Sequence, residues 1–170
     1  LPASYAEADD NIESLEIDLV DQTADFKITL TYTVFADYDI ITRSAKIINQ
    51  GQKDLKLQSA LSMSLDFEDS NFEMLQLSGA WGRERHLKTR PLIQGLQQIE
   101  SKRGASSHYQ NPFIALTRPN TDEFQGEVYA ANLVYSGNFK AAVEVNHYDR
   151  TRLSLGINDF DFSWLLETGE

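Results

Sequence analysis

The chain has 170 residues, of which 41% are apolar, so it is long enough to bury a hydrophobic core and is not typical of a disordered tail. Its formal net charge of −11 disfavours binding to nucleic acid and to anionic membrane surfaces. The absence of cysteine excludes disulfides, thiolate catalysis and cysteine zinc sites, and the sequence contains no apolar run approaching the ~18 residues that span a bilayer.

Alternation of apolar and polar residues dominates the chain and predicts β-strands. In chain order, the clearest alternating segments are residues 15–19, 26–34, 61–67, 139–145, 153–157 and 160–166. A turn at Asn49-Gln50-Gly51 separates the second strand from a run that Leu55 and Leu57 open. The polar turn at residues 148–150 predicts an antiparallel hairpin between its two neighbours. Helical spacing is scarce, and residues 69–76 fit a strand as well as they fit a helical turn.

The alternation breaks down between residues 78 and 111, where glycines, Pro91 and many charges predict a long irregular loop region with one short strand near 97–101. Roughly ten strands at short spacing indicate an all-β, antiparallel β-sandwich. We find no linker or repeat and therefore expect residues 1–170 to form a single domain. Because Leu1-Pro2-Ala3-Ser4 carries neither an initiator methionine nor a signal-peptide pattern, we expect a fragment excised from a larger multidomain protein.

Carboxylates are considered first as candidates for chemistry, because a pair of them can act as acid and base or nucleophile across one bond. The acidic residues considered for that role are Asp66, Glu68, Asp69, Glu84, Asp159 and Asp161. Asp159 and Asp161 are two residues apart on the last predicted strand, which would place both on one face. No neighbouring apolar segment predicts a raised pKa for either of them, and a solvated acidic edge explains the pattern equally simply.

Other catalytic patterns are weak. The three histidines, His86, His108 and His147, lack the short spacing of a metal site. The Ser106-Ser107-His108 segment has no nucleophile-elbow sequence and no orienting acid beside it. The glycines match neither the dinucleotide nor the phosphate-loop spacing. We therefore predict no metal and no cofactor. A reducing compartment suits a chain without cysteine, so we expect a cytoplasmic location.

Residues 78–86, with the sequence SGAWGRERH, are the most informative segment. An exposed Trp81 would offer a flat face to a pyranose ring, and Arg83 and Arg85 would supply rigid donors beside it, next to His86. Two interpretations stay open: a loop that faces substrate or a subunit, or a tryptophan that folds back onto the sandwich. Further basic residues in this region favour contact with an acidic surface; they are Lys88, Arg90, Lys102 and Arg103.

Several blocks, in order along the whole chain, carry a resemblance to a known family. They are DYDIITRS (37–44), LQLSGAWGRERH (75–86), ESKRGASSHYQNPFIAL (100–116), LVYSGNF (133–139), GIN (156–158) and FDFSW (160–164). Taken together, these blocks resemble the bacterial α-galactosidases of glycoside hydrolase family 36. The chain is thereby similar to most of that family's N-terminal, supersandwich-like β-domain.

The resemblance implies a retaining enzyme that hydrolyses terminal α-galactosyl residues of oligosaccharides. In this family a central (β/α)₈ barrel carries both catalytic aspartates, so no residue here is expected to be catalytic and the isolated chain is expected to be inactive. It also implies contacts with the enzyme's own barrel and a homotetramer. Trp81, supported by Arg83, Arg85 and His86, becomes the candidate for the substrate rim or a subunit interface. The alternatives are a stand-alone carbohydrate-binding β-sandwich and a purely structural sandwich with Trp81 buried.

Overall fold

The computed structural model describes residues 11–170, and the Leu1-Ser4 segment lies outside the described residues. Within that range the chain is built almost entirely of antiparallel strands, which confirms the predicted all-β class. The strands are β1 (Ile12–Asp21), β2 (Phe26–Phe35), β3 (Ile40–Asn49), β4 (Leu55–Leu57), β5 (Leu61–Phe67), β6 (Glu73–Ala80), β7 (Arg83–Pro91), β8 (Gly95–Glu100), β9 (Gln110–Thr117), β10 (Val128–Asn132), β11 (Phe139–Val145), β12 (Thr151–Ile157) and β13 (Trp164–Leu166), and a 3₁₀ turn, Ala36–Tyr38, joins β2 to β3. No helix in residues 11–170 has the length and apolarity needed to cross a bilayer.

The described residues divide into two compact units, a smaller one made of residues 11–57 with 164–170 and a larger one made of residues 58–163. That residues 1–170 form a single domain stays a prediction. In the smaller unit, β1, β2 and β3 form a three-stranded antiparallel meander, and β4 pairs with β13.

Asn49, at the end of β3, ties the C-terminal segment to the meander of the smaller unit. Its buried side-chain amide donates hydrogen bonds to the carbonyl oxygens of Leu166 (3.1 Å) and Glu167 (3.2 Å). Its backbone N–H donates to the carbonyl oxygen of Glu170 at 2.8 Å. The turn predicted at residues 49–51 is therefore also an anchor, because one polar side chain satisfies backbone carbonyl groups of a segment more than a hundred residues away in the chain.

The larger unit is a sandwich of two four-stranded antiparallel sheets with strand orders β10-β9-β6-β7 and β5-β12-β11-β8. The predicted hairpin across residues 148–150 is confirmed, because β11 and β12 pair from Phe139–Ile157 to Val145–Thr151. Alternate residues of each sheet point into one shared core. Its buried members are Phe72, Met74, Ile99, Ile114, Leu116, Ala131, Phe139, Ala141, Val143, Leu153 and Leu155.

Two sequence predictions about local structure were wrong. The region 78–111 is not a long irregular loop, since it contains the end of β6, all of β7 and β8, and the start of β9. The sequence did not predict β7, because it is an edge strand whose residues are all exposed. Its sequence is rich in charged residues and lacks the alternation of apolar and polar residues that marks a half-buried strand. The last strand is also shorter than predicted.

The last predicted strand, residues 160–166, contains only β13 at its end. The residues before it form a turn, and Asp161 adopts the left-handed backbone conformation with φ of 56°. Asp159 and Asp161 therefore do not share the face of one strand. Asp159 instead accepts a hydrogen bond from Lys140 at 2.7 Å, and this contact lowers the pKa of its carboxyl.

A cluster around Arg118 joins the loop before β6 to the β9–β10 connection. The Arg118 guanidinium donates to both carboxylate oxygens of Asp69 (2.6 and 3.1 Å) and to Glu127 (2.9 Å). It also lies 3.9 Å from the ring centre of Phe72, a core residue. The Arg118 hydrogen bonds, aided by the backbone N–H of Asn71, hold the pKa of Asp69 below its usual value.

We expect Arg118→Gln to lower the melting temperature near pH 7, with the difference from the parent chain shrinking as the solution is acidified below about pH 3.9, the ordinary value for an aspartate. A carboxyl whose pKa is lowered by folding stabilises the protein above its unfolded pKa, and this contribution disappears as pH falls through the folded pKa. Thermal unfolding followed by circular dichroism from pH 7 to pH 2 measures the effect.

Arg150→Gln is the matched control for that prediction, because Arg150 pairs with Glu68 at 3.1 Å but both side chains are mostly exposed. It should leave the melting temperature nearly unchanged at every pH. A pH-independent loss in Arg118→Gln would assign its effect to packing on Phe72 rather than to the ion pairs.

Candidate functional site

The β6–β7 hairpin carries all four of the predicted site residues. A two-residue turn, Trp81-Gly82, joins the strands, and Gly82 adopts a φ of 74° that glycine accommodates without steric cost. Trp81 is 86% exposed, so its indole does not fold back onto the sandwich, and that interpretation of the sequence was wrong. The hairpin therefore presents its tryptophan at its tip.

A β-bulge next to the turn determines where the two arginines point. Ser78 pairs with His86 and Ala80 pairs with Arg83, so that Gly79 alone opposes the two residues between them. Arg85, one of those two, adopts a φ of 57°. A side chain at Gly79 would overlap the carbonyl oxygen of Arg83, which explains why a glycine stands opposite the bulge.

The bulge separates side chains that simple alternation would place together. Arg83 and His86 line one concave surface, whose volume is about 580 Å³. Arg85 lines a different one of about 520 Å³, together with Ser107 and His108. Trp81 lines neither surface. The structure thus brings Arg83 and His86 together and sends Arg85 elsewhere.

The larger concave surface, which we call the β6–β7 cleft, is lined by Gln76, Ser78, Gly79, Arg83, His86, Leu87, Lys88, Tyr109 and Gln110. Two polar atoms of β6 lie buried there without a hydrogen-bond partner, namely Oε1 of Gln76 and Oγ of Ser78. Ser78 is only 6% exposed. Since buried polar groups are normally satisfied, these atoms mark the cleft as a place where water or a further polar group completes the structure.

Tyr109 and Gln110, where β9 begins, form another part of the cleft wall. The backbone N–H of Gly79 donates to the carbonyl oxygen of Tyr109 at 3.1 Å, and the side-chain amide of Gln110 donates to the backbone carbonyl oxygen of Leu77 at 3.4 Å. The guanidinium of Arg103 lies 4.7 Å from the ring centre of Tyr109. These contacts hold the tyrosine against the end of β6 that leads into the turn.

Glu84 stabilises the turn rather than acting as a free acid. Its carboxylate accepts a hydrogen bond from the backbone N–H of Gly82 at 2.7 Å, and this bond is the main reason that the pKa of Glu84 is lowered. The nearby imidazoles of His108 and His86 act in the same direction. The carboxylate therefore holds the loop that presents Trp81.

Asp66 and Asp69 have electrostatic environments opposite to that of a general acid. Asp66 accepts two hydrogen bonds from Arg152, at 2.6 and 2.9 Å, which lower its pKa, and the pKa of Asp69 is lowered by Arg118. A general acid in a glycosidase needs a raised pKa. Within residues 11–170, each of these carboxylates is therefore set up to stay ionised in an ion pair.

The other sequence candidates have local structural roles. The Ser107 hydroxyl accepts a hydrogen bond from the backbone N–H of Tyr109 at 3.2 Å, and the Ser106 hydroxyl donates to the Tyr135 carbonyl oxygen at 3.4 Å. His147 packs on Tyr148 with their ring centres 3.9 Å apart. Over the described part of the chain, no cluster of three histidine or acidic side chains has the arrangement of a metal site.

The comparisons with known proteins decide the family. The model of the glycosyl hydrolase family 36 N-terminal domain matches residues 1–167. The chain belongs to this family. Across its whole length it is 53% identical to the α-galactosidase AgaA of Geobacillus stearothermophilus, and over 99% of its length it is 41% identical to α-galactosidase 1 of Pediococcus pentosaceus. In each case it spans only 23% of the relative's length.

Solved structures of family 36 enzymes agree with this assignment. Crystal structures of AgaA variants in complex with stachyose and with raffinose both superpose on the whole chain with a TM-score of 0.89 and 53% identity, and the chain covers 24% of each. The α-galactosidase of Lactobacillus brevis superposes on 99% of the chain with a TM-score of 0.89 and 44% identity, and 23% of it is covered. The family assignment made from the sequence blocks is confirmed, and so is the antiparallel β fold.

Sequence reasoning missed the wall of the cleft in this family 36 chain. Gln76 and Ser78 follow Met74 at every second position, on the inward face of β6. Polar residues in line with a buried methionine are the sequence signal that could have indicated a polar cleft here. Tyr109 and Gln110 lie inside one of the family blocks but had no predicted role. Nothing local in the sequence indicated that they hydrogen-bond to the turn end of β6, because that contact joins segments about thirty residues apart.

Proposed function

We propose that this chain is the non-catalytic N-terminal part of a longer, retaining α-galactosidase that hydrolyses terminal α-galactosyl residues of oligosaccharides in the cytoplasm. The observation that carries the proposal is the match to the family 36 N-terminal domain over residues 1–167, together with relatives named α-galactosidases of which the chain spans 23%. The AgaA complexes with stachyose and raffinose support galactosyl oligosaccharides as the substrate class. The ionised, ion-paired carboxylates of this chain support a catalytic pair elsewhere, in a barrel outside these 170 residues.

Turnover of a chromogenic α-galactoside, measured for the purified 170-residue chain and for the full-length protein, tests whether catalysis resides outside this chain. We expect activity in the full-length protein alone. Turnover by the 170-residue chain would place the carboxylate pair here, and Asp66, Glu84, Asp159 and Asp161 would be the first residues to substitute. Calorimetric binding of raffinose to this chain alone, without turnover, would favour a stand-alone carbohydrate-binding module instead.

We further propose that the β6–β7 hairpin serves oligomer assembly, with Trp81 at the rim of a galactoside pocket. The exposure of Trp81 at a turn held by Glu84 supports this role, since an aromatic side chain fixed at a hairpin tip is suited to contact a sugar ring or a neighbouring subunit. Arg83 and His86 lie beside it along the β6–β7 cleft, while Arg85 lies on the other side of the bulge. The partner of the hairpin in this proposal is another subunit of a homotetramer.

In the full-length enzyme we expect Trp81→Ala to lower kcat/KM for raffinose about tenfold, which corresponds to ~1.4 kcal/mol of lost transition-state stabilisation. The reason is that the substitution removes the aromatic contact without disturbing any buried group. Initial-rate kinetics measures the effect, and size-exclusion chromatography with light scattering measures assembly.

Phe124→Ala is the control for the tryptophan substitution, because Phe124 is an equally exposed aromatic residue in the β9–β10 connection. It should change neither kinetics nor mass. Unaltered kinetics together with an unaltered tetramer in Trp81→Ala would refute the rim and assembly role while leaving the family assignment untouched.

A further inference from the structure

The β6–β7 cleft has a basic wall that β7 supplies. The strand register pairs Gln76 with Lys88 and Ser78 with His86, so these side chains point to the same side of the sheet. Arg83, on the far side of the bulge, lines the same cleft. Every residue of β7 is exposed, so the guanidinium, the ammonium and the imidazole are accessible from solvent. The cleft therefore presents two cations and an imidazole beside the polar end of β6.

These basic groups have no acidic partner in the part of the chain that the structure describes. Among residues 11–170, no aspartate or glutamate lines the cleft, and no ion pair joins Arg83 or Lys88 to a carboxylate. Arg118, Lys140 and Arg152, by contrast, each contact an aspartate at 2.6 to 2.7 Å. In a chain with 26 acidic and 15 basic residues, a concave surface lined by bases alone indicates a negatively charged ligand.

The two unpartnered atoms of β6 restrict the chemistry of that ligand. The hydroxyl of Ser78, a residue that is 94% buried, can donate or accept a hydrogen bond, whereas Oε1 of Gln76 can only accept one. A carboxylate or a sulfate offers acceptors alone and would leave the Gln76 oxygen unsatisfied. A hydrogen phosphate ion carries both kinds of group, because its ionised oxygens accept hydrogen bonds and its P–OH donates one.

We propose that the β6–β7 cleft is a binding site for a phosphate group, supplied by inorganic phosphate or by a small phosphate ester whose own hydroxyl groups act as donors. Arg83 and Lys88 neutralise its charge, His86 and Ser78 supply further hydrogen bonds, and Gln76 accepts from an O–H of the ligand. A volume of about 580 Å³ is sufficient for a phosphate that carries a small organic group. The site does not involve Trp81 and does not depend on galactoside hydrolysis.

The acidic balance of the whole chain does not prevent this binding. The formal charge of −11 repels an anion at a distance, but physiological salt screens exposed charges that are more than ~8 Å apart. Inside the cleft the phosphate contacts Arg83 and Lys88 directly, and attraction at contact distance exceeds the screened repulsion of remote carboxylates. A flat acidic surface of another protein would reach the exposed bases but not the buried atoms of Gln76 and Ser78.

Isothermal titration calorimetry of the full-length protein, near pH 7 and at fixed ionic strength, tests the proposal with inorganic phosphate and with glucose 6-phosphate. We expect saturable binding of at least one of them, weakened about tenfold or more by Lys88→Gln. Tighter binding of inorganic phosphate would identify the free ion as the ligand, and tighter binding of glucose 6-phosphate would identify an ester. Either result supports a phosphate site.

Two controls separate a built site from general attraction between charges. Arg85→Gln removes a positive charge from the same strand, but Arg85 lines the other concave surface, so the affinity should change by less than about twofold. Sodium sulfate resembles hydrogen phosphate in charge and shape but has no O–H near pH 7. It should bind about fivefold more weakly or worse than inorganic phosphate, because it cannot satisfy Gln76.

Three results would overturn the inference. The first is the absence of saturable binding of both compounds up to about 10 mM. The second is an equal loss of affinity in Lys88→Gln and Arg85→Gln, and the third is equal affinity for phosphate and sulfate. Both substituted side chains are exposed, so each variant should keep the parent melting temperature, which circular dichroism checks. None of these measurements involves galactoside hydrolysis, so failure here is distinguishable from failure of the proposed function.

Discussion

Replacing Asn158 by aspartate should destabilise the larger unit more than replacing it by alanine, although aspartate has nearly the same shape. Asn158 is buried, and its side-chain amide donates to the carbonyl oxygens of Phe139 (3.1 Å) and Ser101 (3.3 Å) and to the Glu100 carboxylate (3.1 Å). In Asn158→Asp every one of these acceptors would face another oxygen. We expect a loss of about 3 kcal/mol or more at pH 7, and a melting temperature lower by roughly 6 to 12 °C.

The pH dependence of this variant separates charge from shape. Burial and neighbouring oxygens raise the folded-state pKa of the introduced carboxyl above its ordinary value of about 3.9. The group is then neutral in both states at low pH, and the destabilisation grows as pH rises from about 4 toward the raised pKa and is constant above it. Thermal unfolding from pH 3 to pH 8 measures this change, with each variant referred to the parent chain at the same pH.

Asn158→Ala serves as the control, because it removes the donor without adding a charge. Its loss of stability relative to the parent chain should be smaller, and it should change little over the pH range in which the carboxyl of Asn158→Asp titrates. The buried network would be refuted as the cause if Asn158→Asp were no less stable than Asn158→Ala at pH 7, or if its penalty were the same at pH 3 and pH 8.

Substituting Gly79 by alanine should also destabilise the protein strongly, because Gly79 lies opposite the β-bulge that sets the directions of Arg83 and Arg85. The added methyl group would overlap the Arg83 carbonyl oxygen and approach the Glu84 Cα to 3.0 Å. These are backbone atoms of the partner strand, so the hairpin must distort to relieve the clash. We expect a loss of about 3 kcal/mol in unfolding free energy, measured by urea denaturation. In the full-length enzyme, the same distortion should displace Trp81 and lower kcat/KM.

Gly82→Asn provides the matched control for the bulge. Gly82 also lies in the hairpin and has a positive φ, but a side chain there meets nothing within 4 Å. Asparagine tolerates the left-handed conformation, so the cost should be at most about 1 kcal/mol. Equal stabilities of Gly79→Ala and Gly82→Asn would contradict the steric explanation of the bulge.

Local pattern was sufficient to predict most of the strands. The period-two alternation at Phe139, Ala141, Val143 and Val145 matches their burial in β11, and the polar turn after them closes the predicted hairpin. This works because a strand with one buried face must place apolar side chains at every second position. The family blocks likewise survive in the sequence whatever the chain contacts in space.

Contacts between distant segments decided the remainder. Arg83 and Arg85 are two residues apart, and only the pairing of Ser78 with His86 and Ala80 with Arg83 shows that a bulge sends them to different surfaces. The strand β7 lacks apolar alternation because it is an exposed edge, so its existence depends on hydrogen bonds to β6 rather than on its own pattern.

The sequence by itself therefore determined the all-β class, the family and the choice of Trp81 as a candidate site residue, since each depends on residue types at fixed spacing. Only the tertiary structure decided that Trp81 points into solvent and that Gln76 and Ser78 face a cleft with Tyr109. Those properties are set by what lies opposite a side chain in space. In an antiparallel sheet that neighbour comes from a strand many residues away, and local sequence carries little information about it.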